Sequence, residues 1–287
     1  MAISFGILAG IIAMIGYGLS NAIAKSPIRN IGSKKTVFYR NLFVTLMLLP
    51  LLFIFPAESY KLSYLLIAVL ISIIGYLPLV IFYKAMKYGK VGVVSPIAGS
   101  AVIITVLLSI IFFNEVLTIT QSFAMLLTIC GIILISLDFK NFKSSHLFDL
   151  SSGAPYALVA CLLWGLVFFL FKIPVMLIGP VLTSFIIEAG ITFTSAGHIA
   201  FSKKSFTLPN KKDLKHIFLI AFFGAIGTLF YTLGLKASYV SIVAVLTSAN
   251  PLVATLYGKV IYKEKLKASQ YIAILFILAG IILISWL

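Results

Sequence analysis

The chain has 287 residues, of which 62% are hydrophobic and 10% charged, with a mean hydropathy of +1.17. A soluble domain typically carries about a quarter charged residues, so this composition excludes an ordinary water-soluble enzyme and leaves room for roughly ten membrane helices of about 20 residues each. The formal charge of +15, from 22 basic and 7 acidic side chains, is spread over short loops with no folded basic surface, which argues against nucleic acid as a partner.

Ten apolar runs follow one another along the sequence. The first five cover residues 3–24, 35–55, 62–83, 91–113 and 118–137; the second five cover 153–172, 178–201, 215–235, 239–262 and 268–286. Pro27, Pro56, Gly89, Gly153, Pro174, Gly179 and Pro209 stand at or near their ends. The first run lacks a basic leader and reads as an uncleaved span. Residues 138–152 form a polar linker near the midpoint, dividing the chain into a first repeat, 1–137, and a second, 153–287.

The halves match internally. A shift of 147 aligns Tyr17-Gly18 with Trp164-Gly165, Lys25 with Lys172 and Pro27 with Pro174; a shift of 149 aligns Glu115 with Glu264 and Gly131 with Gly280. Five helices is an odd number, so a second copy enters the membrane from the opposite side. The predicted fold is therefore all-α and integral to the membrane, ten transmembrane helices arranged as two inverted-topology repeats. Charge agrees with this: 19 basic residues lie on the side of the odd-numbered loops, and three, Lys61, Lys172 and Lys236, on the other. By the positive-inside rule the odd loops face the cytoplasm and both termini lie outside.

Together these motifs resemble the drug/metabolite transporter superfamily, specifically its EamA-type ten-helix members. The residues that carry the resemblance are Trp164-Gly165 and Tyr17-Gly18, the segments 83–87 and 231–236, Pro251, Asn114-Glu115, Lys263-Glu264, and the glycines Gly131 and Gly280. It implies a secondary transporter in the cytoplasmic membrane that exports amino acids or related small metabolites by alternating access, with no cofactor. Sugar-phosphate or nucleotide-sugar exchange and drug efflux also occur in the superfamily. Two features depart from the family: its members are usually drawn with cytoplasmic termini, and the arginine common to the second helix of each half appears only once, as Arg40.

Several positions are candidates for a solute path. Tyr17 and Asn21 share a stripe of the first helix, and Trp164 lies on the matching stripe of the sixth. Tyr76 and Tyr83 share a face of the third helix; Gly224, Thr228 and Tyr231 share one of the eighth. For the tyrosines near helix ends, anchoring at the membrane interface is the competing role. Ser95-Pro96 opens the fourth helix. Asn250-Pro251 falls inside the ninth, where proline leaves the Thr247 carbonyl without its usual donor, so Thr247, Ser248 and Asn250 form a candidate polar patch beside a helix break at Pro251.

Glu188 is the one acid deep inside a run, and a central charge costs about 2.5–3.5 kcal/mol on insertion scales. Three roles stay open: an ion pair with Arg40, a protonation site coupling transport to protons, or a buried neutral acid. The glutamate embedded in the smaller multidrug-resistance relatives favours the second by resemblance. Glu115 and Glu264 read as interfacial charges at helix starts. No metal-ligand spacing, nucleophile–base grouping or phosphate loop is present, Cys130 and Cys161 read as buried thiols, and His146, His198 and His216 are scattered singly. The expected partners are a small-molecule solute, the lipid bilayer and protons, in a monomer or weak homo-oligomer. The competing classes are an integral membrane enzyme acting on lipids and a channel.

Overall fold

The computed structural model describes residues 2–88, 94, 97–136, 153–202, 208–261, 263 and 265–286; the linker, Ser95, Pro96 and Glu264 lie outside them. In the first half the helices are α1 (Ala2–Ile31), α2 (Ser33–Leu48), α3 (Leu51–Ile54), α4 (Leu62–Tyr88), α5 (Ala101–Phe113) and α6 (Ile119–Ser136). In the second they are α7 (Ala154–Leu170), α8 (Lys172–Ile178), α9 (Pro180–Phe201), α10 (Lys211–Ala237), α11 (Val240–Ser248), α12 (Asn250–Ile261) and α13 (Ala268–Ser285).

Among the described residues, eight segments are long and apolar enough to cross a membrane. The other two apolar runs are also helical. Ile97–Phe113 is a shorter apolar helix. Helix α9 has 22 residues, about 33 Å at 1.5 Å per residue, but Thr183, Ser184, Glu188, Thr192 and Ser195 dilute its hydropathy and are all buried.

Helix boundaries depart from the punctuation in two places, one of them Pro174, which lies inside α8 and not at the end of a helix. Pro27, expected to close the first run, lies inside α1, which continues to Ile31 and stops at Gly32, φ 84°. At Gly179, φ 88°, the chain turns from α8 into α9 as expected, with Pro180 in the first turn. Only glycine adopts such a φ without strain, and proline at a helix start forfeits no bond.

The most extensive packing joins one half to the other. Helix α1 lies along α10 and α4 along α7; α2 crosses α9 and α6 crosses α13; α1 also meets α12, and α7 meets α5. Each pair has its counterpart when the halves are exchanged. The close approaches repeat as well. A Cβ at Gly165 would sit 2.9 Å from the Ala101 carbonyl and 2.5 Å from Ile104; at Gly18 it would sit 2.8 Å from the Asn250 carbonyl and 2.5 Å from Val253. Within a bilayer, lipid tails are as apolar as leucine, so helices adhere through such small-residue contacts more than through hydrophobic exclusion.

The fourth and ninth runs break at matching places. Ser100 N–H donates to Ile97 at 3.3 Å and Ile103 N–H to Ser100 at 3.0 Å; Ala249 N–H donates to Leu246 at 3.2 Å and Leu252 N–H to Ala249 at 3.0 Å. These are tight three-residue steps between helical segments. The break expected at Pro251 thus lies two residues earlier, and its partner at Ser100 forms without any proline at the equivalent position. Pro251 itself sits in the first turn of α12, where proline does not interrupt the helix that follows.

Candidate functional site

The polar residues of the spans gather where α1, α2, α9 and α10 meet. Arg40 on α2 donates through Nη1 to Glu188 Oε2 on α9 at 3.0 Å. Glu188 Oε1 accepts from Thr228 Oγ1 of α10 at 2.5 Å, and Thr228 Oγ1 accepts from the Tyr17 hydroxyl of α1 at 3.0 Å. The chain Tyr17–Thr228–Glu188–Arg40 therefore runs from the first half into the second and back. Arg40 also donates to Asn41 Oδ1, whose buried amide nitrogen has no partner.

Local sequence explains how a guanidinium fits there. A Cβ at position 224 would lie 2.5 Å from Arg40 Nη2, so only a glycine in α10 leaves space for it. One turn on, Thr228 faces the same way, and Gly227 leaves room for the Tyr17 ring. The side chains of Arg40 and Glu188 are 14% and 4% exposed. Two charges so withdrawn from water need each other and further hydrogen bonds to offset their desolvation. Glu188 has both; its pairing with Arg40 is one of the three roles open from sequence.

The other candidate residues are distributed around this chain. Tyr231 is fully buried between Phe168 and Phe171, ring centroids 5.3 and 6.0 Å away, with its hydroxyl donating to the Phe168 carbonyl at 3.0 Å. It is a core residue and not an interfacial anchor. Tyr83 packs against the same core, and Trp164 lies over Phe82 at 4.9 Å. Tyr76 bonds not to this chain but to His198 at 2.5 Å. Asn21 donates to Asn250 Oδ1 at 3.2 Å across α1 and α12.

The Thr247 carbonyl is not left free: Asn250 Nδ2 donates to it at 3.2 Å, supplying the bond that Pro251 cannot. The Thr247 hydroxyl, in a residue 3% exposed, has no partner, and Ser248 is half-buried. Ser95 falls outside the described residues.

Glu115, expected as an interfacial charge, is instead buried, and so is Asp213. Glu115 accepts from the backbone N–H groups of Val240 and Ser241 at 2.5 and 3.0 Å, placing a carboxylate at the N-terminus of α11, in the opposite half, where the helix dipole favours it. Asp213 accepts from Asn30 at 2.8 Å and Asn210 at 2.9 Å. Lys172 complements Glu115, donating to the carbonyls of Leu235 and Ser238 at 2.5 and 3.0 Å where α10 ends. Of the two cysteines expected to be buried, Cys161 is and Cys130 is instead exposed; both are free thiols.

Sequence reasoning did not find Thr228 as the link between Tyr17 and Glu188, although the Gly224–Thr228–Tyr231 stripe pointed at that face. It also passed over Lys34 and His198, whose contacts are 164 residues apart.

Comparison with known proteins is consistent with this arrangement. A model of the EamA-like transporter family matches residues 4–137 and, a second time, 151–286. An uncharacterized protein of Methanocaldococcus jannaschii is 31% identical over 135 residues, which are 46% of this chain but 96% of that protein. Its whole length thus corresponds to about one half of this chain. A crystal structure superposes with a TM-score of 0.76 over 97% of this chain and 95% of the other, at 16% identity, a likeness of fold.

Proposed function

The chain belongs to the EamA-like transporter family, and on that premise we propose that it is a secondary active transporter exporting amino acids or related small metabolites by alternating access. The carrying observation is one buried hydrogen-bonded chain, Tyr17–Thr228–Glu188–Arg40, whose two ends come from the first half and whose two middle members come from the second. Rocking of one repeat against the other about a site between them is the usual way such carriers expose a solute to each side in turn. An amino-acid zwitterion carries the two charges that Arg40 and Glu188 satisfy in each other, so it can replace each partner without stranding a buried charge.

The proposal includes ten spans in two inverted halves, supported by the exchange of packing partners between halves and by the matching breaks at Ser100 and Ala249. It also places the protein in the cytoplasmic membrane with the basic odd loops inside. A reporter fused to the C-terminus is then active only if it works outside the cytoplasm; a cytoplasmic signal overturns that orientation.

Transport itself is tested with purified protein in liposomes preloaded with unlabelled L-leucine or L-threonine. Labelled amino acid outside should enter by saturable counterflow. Entry that is indifferent to the preloaded solute contradicts a carrier, and conversion of the surrounding lipid points to an enzyme.

A further inference from the structure

A second polar cluster ties α2, α4 and α9 together away from the Arg40–Glu188 pair. His198, ten residues beyond Glu188 on α9, is bonded at both ring nitrogens: Nε2 to Lys34 Nζ at 2.7 Å and Nδ1 to the Tyr76 hydroxyl at 2.5 Å. Lys34 also donates to Ser202 Oγ at 3.0 Å. An ammonium group has three donors and no acceptor. Nε2 must therefore accept, which makes the ring neutral, with its proton on Nδ1 and directed at the tyrosine oxygen.

A proton arriving at Nε2 changes this contact completely. It removes the lone pair that Lys34 uses, turns acceptor into donor, and sets two cations face to face. Neither ring nitrogen is held by a carboxylate that could absorb the new charge. The groups facing the ring are Lys34 from α2 and Tyr76 from α4. At the start of α10 stand exposed Lys211 and Lys215 and buried Asp213, whose carboxylate oxygens accept from Asn30 and Asn210.

We propose that His198 is a proton-binding site of this protein, and that protonation of Nε2 breaks its bond with Lys34 and moves α2 apart from α9 at the odd-loop end of the bundle. As a coupling step for solute movement it rests on the transport reading; as a proton site it does not.

The test uses the full chain in lipid nanodiscs. Nitrogen-15 labelling of the three histidines, with His198→Gln identifying the resonance, should show His198 Nε2 unprotonated in alkaline buffer and gaining a proton as pH falls. In a variant with Cys130 and Cys161 replaced by alanine, spin labels at Lys35 on α2 and Phe201 on α9 should move apart over the same pH range. His198→Gln should lose that lengthening, since an amide can accept from Lys34 and donate to Tyr76 but does not titrate. An Nε2 protonated at every pH, or a lengthening unchanged in His198→Gln, overturns the proposal. With one proton coupled, a one-unit pH gradient supports about tenfold solute accumulation, which His198→Gln should abolish. If neither protein exchanges L-leucine, the transport reading fails, while the resonance and the distance still decide the proton site.

Discussion

Two helix crossings relate the halves to each other in equivalent ways and are built from opposite chemistry. Where α6 crosses α13, a Cβ at Gly131 would lie 2.9 Å from the Ala273 carbonyl, and one at Gly280 would lie 2.7 Å from that of Ala124. The contact is glycine against the backbone and side chains of the facing helix, Ile277 and Thr128 among them. Where α2 crosses α9, the contact is Arg40 against Glu188, with Thr45 and Thr192 hydroxyls 3.4 Å apart one turn on. A bilayer protein that only needed to hold its halves together could use the first solution twice, because close packing needs no desolvated charge. That the second crossing keeps a costly pair points to a use for it beyond adhesion.

The comparison is broken most severely by removing one charge. Arg40→Met leaves Glu188 buried with a hydroxyl as its remaining partner, and should lower stability by about 3–5 kcal/mol, read as a fall in the detergent unfolding midpoint. Retention of the wild-type midpoint would mean that water reaches the pair. Thr228→Val keeps shape but deprives both Tyr17 and Glu188 of a partner, at about 1.5–3 kcal/mol for a bond to a charged group; an unchanged midpoint would detach Tyr17 from the site.

At the dry crossing, Gly280→Val forces α13 away from α6 and should cost about 1–3 kcal/mol by overpacking. The concentration dependence of exchange by the protein that remains folded should stay as in wild type. A changed half-saturation would join this crossing to the solute path. The smallest effect is expected for Glu58→Gln, which removes the exposed 2.6 Å ion pair with Lys236 and should change stability by under about 1 kcal/mol. A larger loss would make the even-loop end a structural clamp.

Much of the fold was legible because membrane segments announce themselves locally. The apolar runs, the glycine turns at Gly153 and Gly179 and the repeated Gly18/Gly165 and Gly131/Gly280 positions all mark features present in the structure. The first helix was cut short at Pro27 because proline reads as an end when seen alone, although a helix can carry it inward. The break at Ser100 has no proline of its own, and Ser95-Pro96 points only to the opening of the fourth helix. It is visible only beside its counterpart at Ala249.

The site was legible in parts and not in its connections. A charge within an apolar run is conspicuous, so Arg40 and Glu188 could be paired from depth alone. Which hydroxyl completes Glu188 depends on the approach of α10, 40 residues away, and the buried cap that Glu115 makes on α11 spans 125 residues. Helical periodicity gives the face a residue occupies but not the helix that face meets. His198 illustrates the limit: a lone histidine near a helix end looks unremarkable until Lys34 and Tyr76 are brought to it.

The proposed role of the charged crossing is solute movement and not merely cohesion. Its most direct test is counterflow of labelled L-leucine and L-threonine by the double variant Arg40→Met/Glu188→Met in liposomes, alongside its unfolding midpoint. Replacing both buried charges by apolar side chains of similar size should restore most of the stability lost by Arg40→Met alone, while counterflow disappears. A double variant that is stable and exchanges solute at the wild-type rate would contradict the claim.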